Sequence, residues 1–363
     1  MDIRIPIQAI KGRGSSQALA HRYAREAREA LDDGWGSLDE VQAQQHKLAA
    51  EPTTWTWESP RSLITRNRSP DIGFDLSINP YRGCEHGCCY CYARPSHSYL
   101  GWSPGLDFET RLVAKRDPGR LLRAELARSG YRPGLLALGT VTDAYQPLER
   151  ELGLSREILQ VLHDCHHPVA IVTKGHGIER DIDLLAPMAA RGLAGVYITL
   201  TTLDAKLARQ LEPRAPAPWR RLRTIRTLSA AGIPVGVSVA PQIPFINEDM
   251  EQVLQAAREA GASRAFYTVL RLPWELSPLF RQWLDQHFPD RAARVMARIQ
   301  DLRGGKDYDA RFGARMQGRG LWADLLAQRF AVACRQLGFG RERHPWDVSQ
   351  FTPPTAGGQI QLF

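Results

Sequence analysis

A chain of 363 residues, 43% of them hydrophobic, can bury one large core with appendages. Its six cysteines, four of them within residues 84–91, exclude a disulfide framework and suit a reducing cytosol. The excess of 47 Lys and Arg over 39 Asp and Glu gives a net charge of +8, which favours a polyanionic partner without specifying a fold. No apolar run reaches the roughly 18 residues of a membrane span and no charged-then-apolar leader opens the chain, so a cytoplasmic protein with no membrane contact is expected.

Residues 1–71 read as an irregular basic arm. Gly12, Gly14, Ser15 and Ser16 break periodicity, and Ala18, Tyr23, Ala27 and Leu31 predict one amphipathic helix over 17–32. Residues 72–275 then alternate β-rich and helical runs. The strands are predicted at Phe74–Ile78, Leu135–Leu138, Val169–Val172, Val196–Leu200, Val235–Val239 and Ala265–Leu270. Helices are predicted between them at Arg120–Arg128, Ser155–Asp164, Asp181–Arg191, Trp219–Ala231 and Glu248–Ala260. Gly232 and Gly261 suit helix C-caps, and Asn247 and Asp204 suit N-caps. This alternation argues a parallel sheet with helical crossovers. Six strands are too few for a closed eight-stranded barrel, so the expected fold is α/β, a partial (β/α)6 TIM-like barrel.

Residues 276–350 read as a helical C-terminal extension, with helices opening at Ser277-Pro278 and spanning Asp290–Leu302 and Leu321–Leu337. Within it, residues 306–320 mix arginines, aromatics and glycines, a composition that can grip phosphates and stack a base or merely form a solvated connector. Residues 351–363 form a Pro/Gly tail ending Gln359-Ile360-Gln361-Leu362-Phe363. This ending is similar to the bacterial sliding-clamp binding motif, which would dock Gln359, Leu362 and Phe363 into an apolar groove. The alternative is that Leu362 and Phe363 fold back onto the protein's own core.

The chemistry concentrates in Gly83-Cys84-Glu85-His86-Gly87-Cys88-Cys89-Tyr90-Cys91-Tyr92. Cys84, Cys88 and Cys91 have the spacing C-x3-C-x2-C. Three thiolates so close can hold three corners of a cubane iron–sulfur cluster, leaving one iron open. A zinc site with His86 as fourth ligand is the competing reading, although no second Cys pair accompanies it. Cys89 is either a small buried residue or a redox or hydrogen-donating thiol. His163, Cys165, His166 and His167 have metal-binding composition, but neighbours on a helix diverge too far to converge on one ion.

The cysteine spacing, with an aromatic residue before the last cysteine, resembles the radical S-adenosylmethionine (radical SAM) signature. The resemblance implies a [4Fe–4S] cluster on Cys84, Cys88 and Cys91 and SAM chelated at the open iron. It also implies an electron donor such as flavodoxin or ferredoxin, and reductive cleavage to a 5′-deoxyadenosyl radical. Barrel logic puts active residues at strand C-termini. Lys174 then suits the SAM carboxylate, with Arg214 as a second candidate or a surface partner of Glu212. Thr142, Asp143 and Thr199 suit the amine and ribose hydroxyls, and the backbone near Tyr90 suits adenine.

Within that superfamily the chain most resembles the spore photoproduct lyase-like family. Cys88-Cys89-Tyr90-Cys91-Tyr92 and Thr140-Val141-Thr142-Asp143 carry this resemblance, over roughly residues 72–275. It implies repair of a DNA lesion, with Tyr90 and Tyr92 as candidates for a hydrogen-atom relay and Cys89 as a substitute donor. The departure is the second strand's loop, Leu138-Gly139-Thr140-Val141-Thr142-Asp143, which lacks the family's hydrogen-donating cysteine. Radical modification of RNA or protein, or a non-catalytic metal-bearing protein that binds DNA and the clamp, are the alternative readings.

Overall fold

The described residues form ten strands, in chain order β1 (Thr54–Glu58), β2 (Thr65–Arg66), β3 (Leu76–Ile78), β4 (Tyr81–Arg82), β5 (Arg111–Lys115), β6 (Leu136–Leu138), β7 (Val169–Thr173), β8 (Ala194–Thr199), β9 (Val235–Gln242) and β10 (Arg264–Val269). The computed structural model describes residues 10–16, 18–24, 52–340 and 346–354. The helices that matter here are α1 (Pro118–Leu126), α2 (Leu154–Asp164), α3 (Ile182–Ala190), α4 (Pro218–Ala230), α5 (Met250–Glu259), α6 (Leu276–His287), α7 (Pro289–Asp301) and α8 (Leu321–Gln336).

The six strands expected from sequence form one parallel sheet in the order β3-β6-β7-β8-β9-β10, with β2 added antiparallel to β3. Leu76 pairs with Leu136, Leu136 with Val169, Val169 with Ala194, Val196 with Val235, and Gly236 with Arg264. Each parallel step is made by a helical crossover, and the sheet does not close on itself. The architecture is the partial TIM-type barrel. Ile78, Ile171, Val196, Ile198, Val237 and Val239 are buried, as a sheet covered on both faces requires. Gly232 (φ +78°) and Gly261 (φ +107°) follow α4 and α5 as left-handed C-caps. Asp204 caps the helix Ala205–Leu211 by accepting from the Lys206 and Leu207 amides at 2.8 and 3.1 Å.

Four expectations are corrected. Asn247 does not cap α5, which starts at Met250. Its side chain instead ties the end of β9 to the loop after β8, donating to the Thr201 and Pro241 carbonyls and accepting from the Ile243 amide. No helix begins at residue 18, because residues 18–24 run as coil and turn; the rest of the expected 17–32 helix lies outside the described residues. Third, the N-terminal segment contributes structure. β1 pairs parallel with β5, β4 pairs antiparallel with β5, and this three-stranded sheet braces the cysteine loop. Fourth, residues 306–320 are more than a solvated connector: Arg315 pairs with Asp71 of the N-terminal segment, and Arg311 pairs with Asp309. The tail residues Gln359, Leu362 and Phe363 lie outside the described residues.

The helical extension is welded to the barrel. Leu302, Ala323, Leu326, Cys334 and Phe339 join the same buried cluster as the strands. The Arg303 guanidinium donates to the Leu270 carbonyl at the end of β10 and to Ala314. Cys165 and His167 are buried separately, with His167 bonded to Tyr131 and Pro168, so they form no metal site. Among the described residues no helix is long and apolar enough to cross a membrane.

Candidate active site

The cysteine loop enters from β4 and is fixed by buried charge. Arg94 is 1% exposed, donates to the carbonyls of Cys88 (2.8 Å), Gly105 (2.8 Å) and Gly87 (3.1 Å), and pairs with buried Glu109. Gln146 clamps the other side, accepting from the Glu85 amide and donating to the Gly83 carbonyl. Gly87 takes φ +65°, and a side chain there would strike the Glu109 carboxylate at 2.6 Å. The N-terminal segment covers the loop: a Cβ on Gly14 would lie 1.6 Å from the Gly87 carbonyl oxygen, and the Gly14 amide donates to Glu109.

This scaffold directs three thiols into one cavity of about 500 Å³ at the C-terminal ends of the strands, within the size range of small-molecule sites. Cys84, Cys88 and Cys91 line it, together with Tyr90, Tyr92, Thr142, Asp143, Lys174 and Thr199. Cys84 and Cys88, and Cys88 and Cys91, lie close enough to feel each other's charge. Burial pushes the Cys84 thiol well up and the Cys88 thiol up to about 12. Cys89 is absent from the lining. It is buried against Leu207 and Leu211 with its amide bonded to the Leu211 carbonyl, which corrects the reading of it as a thiol facing substrate.

Behind the loop lies a buried ion pair. Glu212 and Arg221 are both fully buried; the carboxylate accepts from Arg221, from Thr201 at 2.5 Å and from the Tyr90 hydroxyl. Burial opposes the Glu212 charge, but Arg221 and Lys174 outweigh it and hold its pKa down to about 2. Tyr90 is thereby locked with its ring beside the Lys174 ammonium, 5.8 Å from the ring centroid. Burial also works against the Lys174 charge, yet its charge interactions with Cys88 and Glu212 raise its pKa above the ordinary lysine value. The Lys174 ammonium hydrogen-bonds no other described side chain, so its three donors face the cavity.

Residues 78–257 match the profile of the radical SAM superfamily. This segment is a radical SAM domain. It is 37% identical over 226 residues to an uncharacterized protein of Mycobacterium tuberculosis, an alignment covering 61% of this chain and 66% of that one. An uncharacterized protein of Methanocaldococcus jannaschii is 27% identical over 221 residues, covering 60% and 78%. The chain thus spans just under two thirds of the length of the mycobacterial relative. Among solved structures it resembles spore photoproduct lyase complexed with dinucleoside spore photoproduct, with a TM-score of 0.52, 16% identity and coverage of 83% and 80%. A double mutant of the lyase with bound AdoMet and dinucleoside spore photoproduct matches with a TM-score of 0.52 and 15% identity, over the same shares of the two chains. At these identities the likeness is one of fold.

The radical SAM superfamily uses a [4Fe–4S] cluster and SAM. The residues present fit them. Among the described residues no three His, Cys, Asp or Glu side chains are grouped on a single ion. A cubane asks for something else, thiolates spread over separate irons, and three thiols in one buried wall supply that. His86 is occupied elsewhere, 3.3 Å from Asp143. Lys174, Thr142 and Thr199 are placed to meet a polar ligand. Asp143 is not: Thr173 (2.5 Å) and the Tyr145 amide (2.9 Å) fill one oxygen, and the Lys174 amide (2.7 Å) and His86 fill the other. Burial opposes its charge, but His86 and these donors hold its pKa far below the usual carboxylate range. Asp143 therefore orients the loop that carries Lys174. Arg214 lies outside the cavity lining, paired with Glu85 at 3.1 Å and Thr53 at 3.0 Å; Glu212 is not its partner.

Sequence reasoning missed Ser238, a hydroxyl buried in the cavity wall on β9, although a lone serine in Val-Gly-Val-Ser-Val was the signal. It also missed Asn67, Ile72 and Phe74 from the N-terminal side, whereas Arg315 and Met316, which line the cavity too, fall in the segment 306–320 that it singled out. Arg271 stacks over the Tyr92 ring at 4.1 Å, and both line the cavity.

Proposed function

We propose that this chain cleaves SAM reductively on a [4Fe–4S] cluster held by Cys84, Cys88 and Cys91 and directs the radical at a nucleic acid, a DNA lesion being the substrate class. The observation that carries this reading is one cavity lined both by three thiols and by an arginine–aromatic pair, Tyr92 under Arg271. When bound, the cluster and SAM supply a 5′-deoxyadenosyl radical. The chain's own groups seat and aim it. The Lys174 ammonium pairs with a ligand carboxylate, and Thr142, Thr199 and Ser238 offer hydroxyls to polar ligand atoms. Tyr90 is held still by Glu212, so its face is a fixed wall. Glu109, Arg94 and the covering Gly14 segment close the rear of the loop against water.

Hydrogen return sets this chain apart from the lyase. The loop Gly139–Asp143 lines the cavity without a cysteine, and Cys89 points elsewhere. Of the two tyrosines, Tyr90 is committed to Glu212 and Thr201, whereas Tyr92 is 43% exposed, with its hydroxyl on the Thr140 carbonyl and beside Arg271. Tyr92 is therefore the oxidisable group open to substrate. Anaerobic reconstitution, with iron counted and 5′-deoxyadenosine quantified in the presence of reductant, SAM and lesion-bearing oligonucleotides, tests the proposal. Cleavage that accelerates with damaged DNA supports it, and equal rates with and without DNA refute the substrate assignment.

A further inference from the structure

Three large aromatic side chains project into solvent where three distant segments meet. Tyr99 follows the cysteine loop and is 67% exposed, Trp274 follows β10 and is 63% exposed, and Tyr23 of the N-terminal segment is 54% exposed. Burial would normally claim such surface. Arg22 stands at their centre, with its guanidinium 4.1 Å from the Trp274 ring centroid and 5.6 and 5.8 Å from those of Tyr23 and Tyr99. The tyrosine rings lie 5.7 Å apart.

The cluster is built. Glu275 accepts from the Arg22 amide (2.9 Å) and Nε (3.0 Å) and from the Ser98 hydroxyl (3.3 Å), and Arg22 also donates to the Pro95 carbonyl. Trp274 itself is held at φ +46°, in the left-handed region that a bulky side chain enters only at an energetic cost. The fold thus uses a buried carboxylate and a strained backbone to hold an indole in water. Trp274 is three residues beyond Arg271 of the cavity wall, at most about 10 Å of backbone. Arg271 carries no ion pair among the described residues.

We infer that Trp274, Tyr99, Tyr23 and Arg22 form a stacking platform for unpaired bases of a single-stranded or locally opened nucleic acid, feeding the cavity past Arg271. Flat π faces interleaved with guanidinium suit bases of any sequence. The chain's +8 charge and the Arg271 guanidinium at the cavity wall suit the accompanying phosphates. The inference rests on the nucleic-acid reading above and adds the surface that would do the recognition.

The test is fluorescence anisotropy of a labelled single-stranded oligonucleotide with the full chain. Trp274→Ala and Tyr99→Ala should each weaken binding by about 5- to 150-fold, the range of one lost base stack, and Trp274→Phe should recover most of it. Trp219→Ala, which removes an equally exposed indole (64%) from α4, should change nothing. An abasic strand of equal charge should bind the wild type more weakly than the normal strand binds Trp274→Ala, since it loses every stack rather than one. Wild-type affinity in Trp274→Ala and Tyr99→Ala, or no preference for the base-bearing strand, overturns the platform while leaving the nucleic-acid reading intact. No oligonucleotide binding by a wild type that still cleaves SAM overturns both.

Discussion

Replacing Glu212 with glutamine keeps the side chain's shape and removes its charge. In the wild type the carboxylate faces Arg221, which otherwise has only the carbonyls of Pro216 (2.7 Å) and Thr199 (3.1 Å). The variant strands a guanidinium that is 1% exposed, and an uncompensated buried charge costs about 3–5 kcal/mol. A folded unit of roughly 300 residues unfolds with an entropy of about 0.6 kcal/mol/K, so the melting temperature should fall by about 5–8 °C. Glu212→Leu combined with Arg221→Met, which removes both charges, should recover much of this. The same pair predicts an acid limb. The native Glu212 pKa of about 2 lies below its ordinary 4.5, so its contribution is complete above pH 4.5 and is lost as pH falls towards 2. That difference amounts to about 3 kcal/mol, and Glu212→Gln should lack it. Thermal melts followed by circular dichroism between pH 2 and 7 read both effects. A melt within about 1 °C of wild type, or an unchanged acid limb, would refute the reasoning.

Lys174→Met should raise the KM for SAM by about 10- to 150-fold, the range for a lost charge-assisted hydrogen bond of about 1.5–3 kcal/mol, with iron content unchanged; an unaltered KM removes Lys174 from the ligand site. Cys89→Ala should retain full iron and SAM cleavage because its thiol is buried outside the cavity lining, and loss of cleavage would place it in the mechanism after all. Tyr92→Phe should keep uncoupled SAM cleavage measurable while product formation on damaged DNA falls at least tenfold; undiminished product would assign hydrogen return elsewhere.

What the sequence exposed was whatever local pattern determines. Val169–Val172 and Val235–Val239 announce buried parallel strands because such strands are apolar on both faces. Asp204 announces a cap because its oxygen serves amides two and three residues on. Cys84, Cys88 and Cys91 announce a centre because their spacing confines them to one loop. The position of Lys174 on the cavity wall was legible from its place directly after β7. The misses are contacts across long sequence separations. Arg221 lies within a helix where it looks like surface charge, and only the fold buries it against Glu212. Asp143 was assigned to a ligand because nothing local reveals that Thr173, Lys174 and His86 saturate it. Thr54–Glu58 alternates as a strand should, but its partner, Arg111–Lys115, lies more than fifty residues away.

The most direct measurement replaces Cys84, Cys88 and Cys91 singly with serine and compares each anaerobically reconstituted protein with wild type for bound iron, the cluster's visible absorption and formation of 5′-deoxyadenosine. About four irons and cleavage are predicted for the wild type, with both lost in every variant and neither lost in Cys89→Ala. A serine variant that keeps its iron and still fragments SAM would contradict the account.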